Sequence, residues 1–286
     1  MKNLDTLIQD IYSNLEGLST GEALNISEEE LDLTLLRMKE SILAWSQPRE
    51  VDSNFRLRMS NIGRPLRQLW YESKTTSQPH VVSGSTQIKF LYGHLLEEIL
   101  LMLVRMAGHE VTSEQKEVNV DGILGHMDCK IDGQVVDVKT ASKFSFNKFK
   151  DGSLVNNDPF GYLAQLSGYE TAEETNEGGF LVINKESGEL CLFRPDDLEK
   201  PNVKEKIEKV KAAITVDTPP ERCYSPVPEG KKGNMKLPSG CAYCPYKFEC
   251  HSDANDGEGL RAFRYSNGPV YFTEVAVEPR VEEILL

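Results

Sequence analysis

No run of eighteen apolar residues occurs anywhere in the 286-residue chain, so no segment is built to cross a bilayer as a helix. The opening stretch MKNLDTLIQDIYSNLEG lacks the basic start, apolar middle and small-residue cleavage site of a secretory signal. The expectation is a cytoplasmic protein that does not engage membranes. An excess of positive charge is missing as well: 32 Lys and Arg stand against 45 Asp and Glu, a net charge of −13. That excludes a protein that coats nucleic acid by bulk electrostatics, while leaving room for an enzyme with a local basic channel. No G-x-x-x-x-G-K-[ST] stretch is present, so ATP-driven unwinding would have to come from a helicase partner. No internal repeat is visible. Cysteine is absent before Cys129, and three of the six cysteines crowd into residues 241–250. Without a secretory context, such crowding points to metal more readily than to disulfides.

What is present reads as an α/β protein, with helix, strands, helix, strands and helix in succession. Residues 1–85 are expected to be a helical N-terminal segment with a basic stretch, residues 86–215 a core, and residues 216–286 a cysteine-rich segment with an acidic tail. Ser27 and Glu30 form an S-x-x-E capping box ahead of a helix whose Leu31, Leu35, Met38, Ile42 and Trp45 recur on one face, expected to pack on the body. Arg56, Arg58, Arg64 and Arg67 cluster in NFRLRMSNIGRPLRQLW, a grip for phosphates or a solvated helix face. The stretch QIKFLYGHLLEEILLMLVRMA, apolar nearly all round, predicts a central helix. Asp158 and Pro159 are suited to start a helix over NNDPFGYLAQLSGYETA. GFLVIN and ELCLFR read as two strands joined by KESG, and DDLEKPNVKEKIEKVKAAI as a charged helix. In the acidic tail, one stretch, PVYFTEVAV, is strand-like.

The stretch GHMDCKIDGQVVDVKTAS, residues 125–142, places charges inside an apolar hairpin. Asp132-Gly133 is a two-residue turn signal, because a type I′ turn needs positive φ at both central positions. Ile131 would then face Gln134, Asp128 would face Asp137, and His126 would face Lys139. Directly opposed residues point to one face and side chains alternate along a strand, so Lys139 joins Asp128 and Asp137 on that face. Two carboxylates about 5 Å apart repel unless a counter-charge sits between them. A divalent cation such as Mg²⁺ or Mn²⁺ suits oxygen ligands of this kind. An exposed hairpin face is the plainer explanation of the D-V-K triplet taken alone.

GHMD, DVKTAS, the upstream GHLLEE and the downstream QLSGY together resemble the PD-(D/E)XK nuclease superfamily, in its RecB-like branch that includes CRISPR adaptation nucleases. The resemblance covers roughly residues 90–170 and implies a restriction-endonuclease-like core, a mixed central sheet flanked by helices. It implies that Asp128 and Asp137 bind the catalytic metal and that Lys139 is the lysine of the D-x-K element. The helical acid is Glu97, from a G-x-x-x-E spacing with Gly93, or Glu98, from an H-x-x-x-E spacing with His94. Gln165 and Tyr169 match the Q-x-x-x-Y element. Lys143 and Lys148 lie in SKFSFNKFK, where aromatics and lysines alternate; such a segment suits stacking on bases, and an amphipathic edge strand explains it nearly as well.

CAYCPYKFEC spaces Cys241, Cys244 and Cys250 as C-x₂-C-x₅-C, with Cys223 upstream after PPER and His251 as a spare ligand. Thiolates in this pattern can close a tetrahedral zinc site or a cluster site. The resemblance implies a [4Fe–4S] cluster, although the upstream cysteine of those relatives has no counterpart before Cys129; Zn²⁺ is the alternative. Cys129 and Cys191 read as core thiols. The expectation is a metal-dependent deoxyribonuclease, an exonuclease of recombination, repair or replication, encoded by a phage and acting in the host cytoplasm on DNA with a single-strand annealing or binding protein or a helicase. The alternatives are a structure-specific endonuclease of the same fold and a non-catalytic nucleic-acid-binding protein with a zinc knuckle.

Overall fold

A computed structural model describes residues 2–48, 55–75, 82–195 and 200–285. In chain order the elements are α1 (Leu7–Thr20), α2 (Glu28–Ser46), α3 (Leu66–Lys74), α4 (Gly84–Met106), β1 (Val111–Thr112), β2 (Lys116–Val120), β3 (Ile123–Met127), β4 (Cys129–Ile131) and β5 (Gln134–Ala141). There follow α5 (Lys143–Lys150), α6 (Tyr162–Ala172), β6 (Gly179–Asn184), β7 (Leu190–Phe193), α7 (Val203–Thr215), β8 (Val227–Glu229), β9 (Asn234–Lys236), α8 (Ser239–Ala242), α9 (Lys247–Cys250), β10 (Arg261–Tyr265), β11 (Gly268–Glu274) and β12 (Glu283–Ile284). Two compact units result, residues 1–63 with 77–208, and residues 64–76 with 209–286. No helix among the described residues is long and apolar enough to cross a membrane.

The larger unit is a mixed α/β structure on a five-stranded sheet in the order β1-β4-β5-β6-β7. Asp132 and Gly133 both have positive φ, and the β4–β5 hairpin has the expected register, Ile131 facing Gln134 and Cys129 facing Val136. β5 then runs parallel to β6, while the other neighbouring pairs are antiparallel. A strand with neighbours on both sides and helices over both faces should be apolar throughout, and β5 is so apart from Asp137, Lys139, Thr140 and the terminal Gln134. Val136 and Val138 enter one core with Leu7 and Ile11 of α1 and Leu100, Leu101 and Val104 of α4. Across the sheet, Phe149 of α5 packs against Phe180 of β6 with ring centres 5.4 Å apart.

Several expectations are corrected here. The strand before the hairpin does not continue through Asp128: β3 leaves to form a separate two-stranded ribbon with β2, closed by a second Asp-Gly turn at Asp121-Gly122. His126 therefore faces Glu117 rather than Lys139. The segment after Lys139 is helix α5, not an edge strand, with Phe146 and Phe149 buried. α2 is capped by Ser27, whose hydroxyl accepts the Glu30 N–H, but the Glu30 carboxylate pairs with Arg105 instead of returning to close the box. Leu31, Leu35 and Ile42 of α2 are exposed, and the helix inserts Thr34 with partly buried Leu33, Arg37 and Met38 instead. The Arg37 and Arg105 pairs with Glu114 help explain that choice of face. α4 is buried at Leu100, Leu101 and Val104, whereas Ile88 and Tyr92 near its start are exposed. Residues 196–199, expected to open the charged helix, lie outside the described residues.

The smaller unit is an antiparallel sheet in the order β12-β10-β11-β9-β8. Its core joins Leu237, Ala254 and Leu260 with Tyr271 and Cys241, and Phe263 meets Phe272 edge-on at 5.3 Å. Only β11 is legible in the sequence, because the other strands are two to five residues long and polar. α3 belongs to this unit, its Trp70 indole donating to the Val216 carbonyl at 2.9 Å.

Candidate active site and thiol cluster

Four of the expected residues come together at β5: Asp137 and Lys139 on its face opposite Val136 and Val138, Asp128 beside the strand, and Glu97 from α4. Asp137 is fully buried, and neither carboxylate oxygen has a hydrogen-bond donor in acceptable geometry. The Lys139 ammonium, two residues along the strand, stands 2.6 Å from Oδ2 as an ion pair. Asp128 occupies the break between β3 and β4. Its Oδ2 accepts the Val138 N–H at 2.7 Å, so a side chain replaces the ladder bond that a continued strand would have made. Glu97 reaches the site from α4 and accepts from the Gln115 amide at 3.1 Å.

The electrostatics follow from this crowding. Burial and the neighbouring Asp137 push the Asp128 carboxyl well above the usual carboxylate range. Burial, Glu98 and Asp137 push Glu97 up to about 7. Burial alone would lower the lysine, but Asp137 and Asp128 outweigh it and hold Lys139 above its ordinary value. With one ammonium set against three acidic groups, Asp128 and Glu97 hold their protons to higher pH than usual, and a cation arriving there would compete with those protons. Among the described residues, no group of three or more His, Cys, Asp or Glu is placed to hold a metal ion, at the carboxylates or at the thiols. The donor chemistry nevertheless suits a hard divalent cation: the acidic groups offer oxygen only, and Oδ1 of the fully buried Asp137 has no hydrogen-bond partner.

The remaining assignments separate. Glu98 is coupled to Arg37 and Arg105 through charge and belongs to that network rather than to the β5 face. His94 is exposed on α4. Gln165 donates to the Tyr169 hydroxyl at 2.8 Å, and Tyr169 is buried with its pKa raised by burial and by Asp137. Lys143 is exposed at the start of α5, and Lys148 donates to the Asn157 carbonyl at 3.1 Å while lying 5.1 Å over the Phe144 ring. Tyr162, missed in the sequence, lies under the Lys139 ammonium at 5.2 Å from its ring centre. Met59, also missed, is fully buried against α6 at Gly168, where a Cβ would fall 2.1 Å from its sulfur. That close approach gives the glycine of SGY a packing reason.

In the smaller unit, Cys223, Cys241, Cys244 and Cys250 line one pocket with His251 and Arg67. Short helices α8 and α9 and the turn between them set Cys241, Cys244 and Cys250 on successive bends, the Cys244 N–H bonding to the Cys241 carbonyl at 3.0 Å, while Cys223 comes from the segment before β8. Burial and then the other three thiols push Cys241 up to about 12. His251 is buried, and its Nε2 has no hydrogen-bond partner. The Arg67 Nε donates to the Cys250 sulfur at 3.1 Å, and another of its nitrogens bonds to the Pro220 carbonyl. The Arg64 guanidinium pairs with Glu72 at 2.9 Å. Arg64 and Arg67, two of the four arginines offered as a grip for phosphates, thus make contacts inside their own unit. Cys129 is buried as expected, while Cys191 is partly exposed on β7.

No family model matches the sequence, and no curated protein does. Similar solved structures include the crystal structure of SSO0001, 15% identical at a TM-score of 0.39, covering 75% of this chain and 94% of that one. The alkaline exonuclease LHK-Exo from Laribacter hongkongensis is 16% identical at a TM-score of 0.36, covering 51% of this chain and 74% of that one. LHK-Exo in complex with dAMP is 14% identical at 0.37, covering 55% and 84%. These likenesses are distant in both sequence and backbone.

Proposed function

We propose that the protein is a metal-dependent nuclease that hydrolyses phosphodiester bonds in DNA, with exonuclease action favoured over endonuclease action. The observation that carries this reading is the fully buried Asp137 carboxylate, whose Oδ2 is paired with the Lys139 ammonium at 2.6 Å and whose Oδ1 has no hydrogen-bond partner, beside Asp128 and Glu97. Burying such a group without satisfaction costs several kcal/mol unless a ligand supplies the missing partner. Asp128, Asp137 and Glu97 would hold Mg²⁺ or Mn²⁺. A cation bound there supplies the positive charge that acidifies an attacking water and offsets charge on the phosphate. Lys139 would neutralise a further phosphate oxygen, and the Tyr162 ring beneath it limits where that ammonium can swing. Phe144 and Lys148 offer an exposed ring and a nearby cation to the strand.

The four thiols and His251 of the smaller unit support a second site, for a [4Fe–4S] cluster or Zn²⁺, with a structural role. A colour near 400 nm in anaerobically purified protein would favour the cluster, and stoichiometric zinc in colourless protein would favour the alternative. For the hydrolytic reading, end-labelled linear DNA and covalently closed circles are digested with Mg²⁺ by wild type and Asp137→Asn. Degradation of the linear form alone supports an exonuclease, cutting of circles an endonuclease, and undiminished cleavage by the variant removes this site from the reaction.

A further inference from the structure

One exposed aromatic ring stands beside the β5 face in a setting that incidental exposure does not explain. Phe160 is 54% exposed, yet the turn that carries it is unusually constrained. The Asp158 carboxylate accepts the N–H groups of Gly161, Tyr162 and Leu163 at 2.8, 3.0 and 2.9 Å. Asp158 therefore caps α6 from three residues before its N-cap, where Gly161 sits in the left-handed region at φ 76°. A Cβ on Gly161 would fall 2.1 Å from the Gly63 backbone, so the two chain segments are in direct contact there. The phenyl ring is thus presented by backbone that has already lost its freedom, and a ligand stacking on it would not bear that entropy.

The ring also leads directly to the candidate chemistry. Phe160 stacks on Tyr162 with centres 5.6 Å apart and planes at 29°. Tyr162 stacks in turn on buried Phe149 at 5.9 Å, and its ring carries the Lys139 ammonium at 5.2 Å. An open π-face, one ring removed from a cation that pairs with Asp137, matches the alternation of base and phosphate along a nucleic acid strand. Base–aromatic stacking tolerates any sequence, because every base has a π-face.

We propose that Phe160, backed by Tyr162, is the stacking platform for the nucleobase adjoining the scissile phosphate, so that the grip on substrate depends on a base at that position. The proposal deepens the nuclease reading and rests on it, and binding and cleavage are therefore measured separately. In Ca²⁺ without turnover, oligonucleotides carrying 2-aminopurine at successive terminal positions report stacking by fluorescence quenching. Wild type quenches at one or two positions, Phe160→Ala loses that quenching, and Phe160→Trp restores it. In Mg²⁺, Phe160→Ala raises KM about tenfold on ordinary ends with kcat less affected. On substrates with an abasic terminal residue, wild type and Phe160→Ala behave alike.

Quenching that survives in Phe160→Ala, or a loss of cleavage equally large on abasic ends, overturns the platform while leaving the nuclease reading intact. Position-specific quenching by a wild type that never cleaves does the opposite. A wild type that neither quenches nor cleaves overturns both.

Discussion

The two clusters of acidic side chains face the same electrostatic problem and rest on very different frames. The carboxylates hang from a strand inside a five-stranded sheet and from a long helix, elements whose own cores hold them in place without any ligand. The thiols hang from helices four residues long and the turns between them, beside a small core. Lys139 is the cation among the carboxylates, whereas Arg67, Arg222 and Lys247 all stand among the thiols. On the proposed reading of the two sites, a ligand would settle into a frame already formed at the carboxylates, whereas at the thiols it would help to make the structure. Removing the ligand should therefore change chemistry at one site and folding at the other.

The largest expected effect tests the rigid half of that contrast. Asp137→Asn should abolish Mg²⁺-dependent cleavage, and Lys139→Ala should reduce it about 10²- to 10³-fold. Circular dichroism of Asp137→Asn should be unchanged, while its metal-free melting temperature should fall because the Lys139 ammonium loses its buried partner. Loss of the folded spectrum would show that the frame itself needs the charge. For the pliant half, Cys241→Ser should lose bound metal and several kcal/mol of local stability. The readout is hydrogen exchange, with protection falling in β8–β12 and holding in β5 and β6; equal losses in both units would erase the distinction.

A smaller effect sharpens the account of the crowded carboxylates. Glu97 is raised from 4.5 to about 7, so between those values the native state keeps a proton that the unfolded chain releases. Metal-free stability should accordingly fall as pH rises from about 4.5 to 7 and then level off, by at most about 3 kcal/mol from this group. Urea midpoints measured across that range should lose much of the slope in Glu97→Gln, and added Mg²⁺ should recover more stability at pH 8 than at pH 5. The smallest effect belongs to Arg67. Arg67→Leu removes the bonds to Cys250 and to the Pro220 carbonyl, and should lower the urea midpoint of the smaller unit by the equivalent of about 1–3 kcal/mol.

Much of the larger unit was legible because local rules and tertiary structure agree there. Asp132-Gly133 specified the turn, the turn specified the register, and strand alternation put Asp137 and Lys139 on one side. The choice between Glu97 and Glu98 was not legible, since both lie on one turn of α4 and only tertiary neighbours distinguish them: Gln115 for the first, Arg37 and Arg105 for the second. The departure of β3 was signalled by Asp121-Gly122, a turn pair of the same kind as the one that was used. Leu31, Leu35 and Ile42 misled because apolar spacing gives a stripe without saying which side is covered, and here ion pairs from Arg37 and Arg105 helped decide the face. Phe160 left no trace in the sequence, because only the closed turn around Asp158 separates a presented ring from an ordinary surface phenylalanine.

β5 carries hydrophobic core and candidate chemistry on opposite faces of one ribbon, Val136 and Val138 toward α1 and α4, Asp137 and Lys139 toward α6. A single-residue insertion or deletion within it would exchange the two faces at once, driving carboxylate and ammonium into the packed interior and turning the valines outward. Substitution at these four positions can be gradual, but any change of length there would cost the protein its folding and its reactivity together.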